Sequence, residues 1–146
     1  MSWLLAAGLT LLADQASKQF VLWRFARRVS LPPGSAPWIR VVQNSDVSFG
    51  LVVRDKRVLV LMWGVAVLTA ILLMQHTAFV AAHAMQIGLG AAIGGATGNL
   101  LDILRRGAVL DFINLRIWPV FNVADVAIVL GSVAAMWSLF ATQLPR

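Results

Sequence analysis

Long apolar stretches alternate with two polar connections along the chain, and the first stretch is already interrupted. Trp3 to Ala13 is almost wholly apolar, Asp14, Gln15 and Lys18 break the run, and Phe20 to Phe25 resumes it. Crossing a bilayer takes roughly 20 apolar residues in helix, so the pattern predicts a first span over about 3–23. A cleaved signal peptide fits less well, because no Lys or Arg precedes the apolar run and no small-x-small site follows it. Further spans are predicted over 58–74, 79–101 and 121–141, the second and third joined by the short link Gln75 to Ala78 and the fourth starting after Pro119. Gly90, Gly94 and Gly98 recur every fourth residue of the third span. This small-xxx-small spacing lets helix backbones approach closely, which puts that span at the centre of the bundle.

The segment 24–57 has a different character. It holds Pro32, Pro33, Pro37 and many of the basic residues, with short β-like runs at Trp38 to Val42 and Val47 to Val53 between turn signals. A small interfacial sheet is the expectation. A second connection, Arg105 to Pro119, is rich in β-branched residues and reads as strand or extended chain near the membrane surface.

Composition sharpens this picture. With 60% hydrophobic and 12% charged residues, the chain lies outside the range of ordinary soluble domains and reads as one integral membrane domain over 1–146. Cys is absent, which excludes disulfides, thiol nucleophiles and Cys-ligated metals. The formal charge of +6 is better matched to anionic headgroups of membrane lipids than to nucleic acid. Every basic residue except Arg146 lies in or beside the two polar connections. Charge alone would therefore set those connections in the cytoplasm.

All six acids are Asp, and Asp14, Asp102, Asp111 and Asp125 fall on one side of a four-span topology. Acids within or beside spans are costly and mark functional sites by default. Two share a local frame, NLLD at Asn99 to Asp102 and NVAD at Asn122 to Asp125. Residues three apart share a helix face, so each frame presents an amide with a carboxylate. Helix capping is the simpler account of Asn122. It fails for Asn99 and Asp102, near a helix C-terminus that disfavours an acid, so Arg105 or Arg106 is expected to compensate Asp102. Two carboxylates brought close in a partly dry setting share a proton, and one can then activate water while the other acts as acid. Asp111 and Asp125 form the best such pair, since Gly107, Pro119 and the intervening strands let the chain double back. No Ser has a base beside it, His76 and His83 lie on the opposite side from the acids, and a carboxylate-only metal site is a weak alternative. No cofactor is expected.

Together these motifs resemble the lipoprotein signal peptidases, or signal peptidase II, the intramembrane aspartic peptidases of bacteria. ADQASK at Ala13 to Lys18 is similar to the family's D-Q-x-S-K box, NSDVSFG at Asn44 to Gly50 to its N-x-G-x-A-F-G box, and GGATGNLLD at Gly94 to Asp102 to its G-N-x-x-D-R box. VLDF at Val109 to Phe112 and FNVAD at Phe121 to Asp125 are similar to the V-D-F and F-N-x-A-D boxes. The boxes keep the family's order and cover nearly the whole chain.

The resemblance implies an all-α membrane protein, four transmembrane helices with a small extracytoplasmic β-cradle. It implies Asp111 and Asp125 as the catalytic dyad, with Asp14, Lys18, Asn44, Gly98, Asn99, Asp102 and Asn122 at positions that support the site or bind substrate. The implied substrate is a diacylglyceryl-modified prolipoprotein, cut on the amino side of its lipidated Cys. The implied location is the bacterial inner membrane, multi-pass, with the site near the extracytoplasmic face, so the basic connections would lie outside against lipid headgroups. A monomer suffices for this chemistry. The chain departs from the pattern at Ile103, where the family has Arg, and at Asp46, where it has Gly. Those departures motivate a second reading, a paralogue that binds lipidated signal peptides or inhibitors with little turnover. A third, a proton-coupled carrier, would need a polar path that the second and fourth spans do not offer.

Overall fold

The computed structural model describes residues 2–25, 38–44, 55–74 and 83–143. In chain order they form α1 (Ser2–Phe25), β1 (Ile39–Asn44), α2 (Lys56–Met74), α3 (His83–Arg106), β2 (Val109–Ile113) and α4 (Val123–Gln143). Most of the expected lobe at 24–57, including the run Val47 to Val53 and Asp46, lies outside the described residues, as do the link Gln75 to Ala78, His76 and Arg146.

Helix α3 is the centre, packed against α1, α4 and α2. Its glycines divide between two faces. A Cβ at Gly90 or Gly94 would run into the backbone of α1 at Trp3 or Ala7, and a Cβ at Gly88 or Gly95 into the backbone of α4 at Gly131 or Ala124. The absence of side chains thus sets two helix–helix distances at once, as expected for small residues at membrane helix contacts. Helix α2 leans on α3 through the indole of Trp63, which donates to Thr97 Oγ1 at 3.2 Å. Asp55 starts α2 by accepting the N–H of Arg57 at 2.9 Å.

The outward faces are apolar. Leu5, Leu9 and Leu12 of α1, Leu61 and Leu68 of α2, and Val129, Leu130 and Trp137 of α4 are exposed, a continuous apolar surface unlike that of a soluble monomer. Among the described residues, one helix, α3, is long and apolar enough to cross a membrane by length and composition, and Val123–Ser138 is a shorter apolar segment. The four predicted spans are therefore present as four helices, while the four-crossing arrangement itself is not given by length and composition. Asp14, Lys18 and Arg24 lower the apolar character of α1.

The protein is mostly helical rather than all-α, because the two polar connections meet in a two-stranded antiparallel sheet. Val42 pairs with Asp111, Gln43 with Leu110 and Asn44 with Val109, with an irregularity between Ile39 and Val42. The lobe strand β1 thus pairs with β2 from the second connection. Gly107, with φ of 80°, ends α3 in the left-handed conformation, and its N–H bonds the Ile103 carbonyl at 3.0 Å. After β2 the chain turns through Arg116, at φ 67°, whose N–H is held by Asn114 Oδ1 at 3.0 Å. It returns at Phe121, which exchanges backbone hydrogen bonds with Ile113 at 2.8 and 3.1 Å. Helix α4 consequently begins at Val123 instead of 121, because Phe121 is bridged to β2.

The contact between α1 and α3 is open to a direct test. Gly94→Val places a side chain against the Ala7 backbone, and overpacking of this kind costs about 1–3 kcal/mol. Gly8→Ala meets nothing within 4 Å and is expected to leave the midpoint of thermal unfolding in detergent unchanged or slightly higher, while Gly94→Val lowers it by several degrees.

Candidate active site

Asp14 and Lys18 stand one turn apart on the face of α1 that meets α3, and both are fully buried. The Lys18 ammonium donates to Asp14 Oδ2 at 2.8 Å and Asn99 Oδ1 at 3.0 Å, and pairs with Asp102 Oδ2 at 2.8 Å. Three acceptors saturate its three donors. Asp14 Oδ1 accepts the N–H of Ala124, in the first turn of α4, at 3.0 Å. Asp102 accepts the N–H of Leu110, in β2, at 3.3 Å and pairs with the Arg106 guanidinium. One charged cluster therefore fastens α1, α3, β2 and α4 together. Gly98 makes room for it, since a Cβ there would strike the Asp14 carboxylate.

A second tier of amides carries this order to the acids. Asn99 Nδ2 donates to Asp125 Oδ1 at 2.8 Å. Asn122 Nδ2 donates to Asn99 Oδ1 at 3.1 Å and to Asp111 Oδ1 at 2.7 Å. Asn44 Nδ2, from β1, donates to Asp111 Oδ2 at 3.1 Å. Asn122 precedes α4 and caps it: its Oδ1 accepts the Asp125 N–H at 2.9 Å, and Asp125 Oδ2 accepts the Asn122 N–H at 3.1 Å. This reciprocal capping box means Asn122 is a cap outside the helix, where a shared helix face was expected. The same residue bonds Asp111 directly and Asp125 through the cap, so capping and convergence of the acids are one arrangement.

Asp111 is 3% exposed. Burial pushes its carboxyl above the ordinary value of 3.8, the nearby negative charge of Asp125 pushes the same way, and hydrogen bonds from Asn44 and Asn122 with the Lys18 charge pull against them. Asp125 is partly exposed and stands at the head of an open apolar groove of about 340 Å³ lined by Leu115, Trp118, Phe121, Val126, Val129 and Leu130. An acid that favours its proton, beside a second acid open to an apolar groove, can do general acid and base work on a bond presented there. Among the described residues no group of three or more carboxylates or imidazoles is placed to hold a metal ion.

Every residue singled out in the sequence, Asp14, Lys18, Asn44, Gly98, Asn99, Asp102, Asp111, Asn122 and Asp125, lies in these two tiers. The compensation expected for Asp102 comes from Arg106 and also from Lys18. Gln15, a polar break in the first apolar run, was given no site role from the sequence. Its Nε2 lies 3.1 Å from Asp14 Oδ2 and 3.2 Å from the Gly98 carbonyl. The Asp14 and Lys18 spacing of four residues, a helical ion-pair spacing, was the available signal for the lower tier.

The architecture, a helical bundle with a small two-stranded sheet, is one found in solved membrane proteins. Two solved structures described as bacterial membrane enzymes share the fold, one with a TM-score of 0.75 and 19% identity, covering 99% of this chain and 92% of that one. The other has a TM-score of 0.66 and 21% identity, covering 94% and 91%. Residues 6–141 match the family described as Signal peptidase (SPase) II. A lipoprotein signal peptidase from Moorella thermoacetica is 42% identical over 142 residues, 95% of this chain and 93% of that protein. One from Pelotomaculum thermopropionicum is 37% identical over 133 residues, 90% of this chain and 87% of that protein. The chain belongs to the signal peptidase II family, the lipoprotein signal peptidases.

Two measurements test this geometry. Removing one partner of a buried ion pair costs about 3–5 kcal/mol, so Lys18→Met, which leaves Asp14 and Asp102 facing each other, is expected to lower the unfolding midpoint strongly. For Asp111 the sign follows from linkage. An acid whose folded pKa is raised binds more protons folded than unfolded, so its contribution to stability is greatest below the unfolded pKa and is lost as pH rises through the folded one. The midpoint of Asp111→Asn, relative to the unsubstituted protein, is therefore expected to rise as pH increases upward from the ordinary carboxylate value of 3.8. A constant difference across pH contradicts the raised value.

Proposed function

We propose that the chain is an aspartic endopeptidase that removes the signal peptide from diacylglyceryl-modified prolipoproteins, cutting on the amino side of the lipidated Cys. The observation that carries this reading is Asn122, whose amide bonds Asp111 Oδ1 at 2.7 Å while its backbone bonds Asp125 Oδ2 at 3.1 Å. Family membership supports the substrate class. The four helices cross the inner membrane as a single multi-pass domain, with the exposed apolar faces of α1, α2 and α4 toward lipid and the site near the extracytoplasmic face. Anionic lipid headgroups lie against the basic connections, and the enzyme acts as a monomer.

In this mechanism the pair shares one proton. Asp111, with its raised pKa, holds it, and Asp125, at the head of the groove, takes a proton from water as the water oxygen attacks the scissile carbonyl. Asp111 protonates that carbonyl oxygen. Collapse of the tetrahedral intermediate breaks the carbon–nitrogen bond as Asp125 passes the proton it took from water to the departing amine and Asp111 takes back the proton of the hydroxyl, which restores the single proton of the pair. The signal peptide leaves as a carboxylate and the lipoprotein keeps a free amino group on its lipidated Cys. Asn44, Asn99 and Asn122 hold the two acids, while Asp14, Lys18, Gly98 and Asp102 hold the asparagines. Ile103 leaves no cation at its own position, and the cations found on Asp102 are Lys18 and Arg106, which favours a working enzyme over a binding paralogue.

Loss of a general acid or base lowers a rate by about 10²–10⁴-fold, so Asp111→Asn and Asp125→Asn are each expected to abolish detectable conversion of a lipidated precursor. A gel shift of precursor to mature lipoprotein in detergent micelles reads this, with thermal unfolding to check the fold. Conversion at the unsubstituted rate by either folded variant refutes the dyad.

A further inference from the structure

Asp102 lies in the last turns of α3, where the aligned carbonyls of the helix end disfavour an acid. It is nevertheless fully buried, and its two oxygens are used differently. Oδ2 pairs with Lys18 at 2.8 Å and accepts the N–H of Leu110 at 3.3 Å. Oδ1 pairs with Arg106 one turn on, through a side chain that is 21% exposed. Leu110 is the residue before Asp111, so the Asp102 carboxylate touches the backbone that carries one of the two acids. The cluster holds two anions, Asp14 and Asp102, and two cations, Lys18 and Arg106. Arg106 is the member that brings it to neutrality.

We propose that Arg106 is a positioning residue for the Asp111 and Asp125 pair, balancing the buried charge of Asp102 as this carboxylate holds the start of β2 in place. The inference rests on the dyad reading above. The groups on Asp102 are Lys18 and Gln15 from α1, Arg106 from α3 and the Leu110 N–H from β2, with Asp14 joined to it through Lys18. Arg105 is exposed, and Lys56 of α2 bonds the Leu104 carbonyl at 3.5 Å on the surface. Among the described residues, the cations paired with Asp102 are Lys18 and Arg106. Without that guanidinium the cluster carries one net negative charge beside a pair that works with a single shared proton. The added negative field favours protonated carboxylates. Both limbs of the kcat against pH profile then move to higher pH.

The experiment measures kcat and KM across pH for the full chain in detergent micelles with a lipidated precursor. Arg106→Gln is expected to shift the acid limb upward by about 0.5–1 pH unit and to lower kcat while leaving KM within about twofold, because a residue that does not touch substrate acts through the transition state. Arg106→Lys restores the unsubstituted profile, and Arg105→Gln keeps it. If Arg106→Gln does not yield folded protein, Arg106→His gives the reading instead: its ordinary pKa of about 6.5 makes kcat relative to the unsubstituted enzyme fall as pH rises through neutrality. An unshifted profile in Arg106→Gln, a shifted one in Arg106→Lys, or a pH-independent ratio in Arg106→His overturns the proposal. Asp125→Asn, run alongside, separates the two readings. Full cleavage by that variant removes the dyad, whereas an inactive Asp125→Asn with an unshifted Arg106→Gln removes only the role of Arg106.

Discussion

A single buried ammonium organises this protein. Lys18 can only donate, and its three partners, Asp14 Oδ2, Asp102 Oδ2 and Asn99 Oδ1, come from α1 and α3. Because an ammonium has no acceptor, the oxygen of Asn99 must face Lys18 and its NH₂ must face away, toward Asp125. Asn122 is oriented in the same manner, since its oxygen takes the N–H of Asp125 in the capping box and its NH₂ is left for Asn99 and Asp111. The direction of the Asn99 amide is thus dictated from below and that of Asn122 by the helix cap. Among the described residues no buried side-chain nitrogen or oxygen lacks a partner, the condition under which a buried polar network orders a structure instead of weakening it.

This network depends on close backbone packing. The ammonium reaches across from α1 to α3 because Gly90 and Gly94 let the two helices touch, and Gly98 opens space for the Asp14 carboxylate. On the other face of α3, Gly88 and Gly95 seat α4 against it, which delivers the N–H of Ala124 to Asp14. Apolar contact and polar convergence are therefore consequences of the same glycine positions. Sheet pairing supplies the last degree of freedom, since the register that sets Val42 opposite Asp111 also sets Asn44 within 3.1 Å of it.

Much of this was legible in the sequence because helices and acids leave strong local marks. Apolar runs located the four helices to within a few residues, and the glycine spacing located the central one. A four-span topology led to the expectation that Asp14, Asp102, Asp111 and Asp125 gather, and hydrogen bonds join them in one network. What escaped was relational. The pairing of β1 with β2 joins segments far apart in sequence, and nothing within either run names its partner. The dual use of Asn122 was hidden because capping and site formation looked like competing explanations of one residue, when its two side-chain atoms serve one each. Arg106 was one of two candidates for compensating Asp102, and only the geometry of the last turn of α3 separates it from the exposed Arg105.

One property of the upper tier has a chemical consequence. Among the described residues, the groups that reach Asp111 and Asp125 directly are amides from Asn44, Asn99 and Asn122, together with the Asn122 and Asp125 cap, while the cations stand one layer further back on Asp14 and Asp102. Dipoles orient a carboxylate without cancelling its charge. Within the described residues, the charge on the pair is therefore oriented by these amides and not neutralised by them. In the mechanism proposed above, a single migrating hydrogen ion answers that charge, handed to a carbonyl and recovered from water in every turnover.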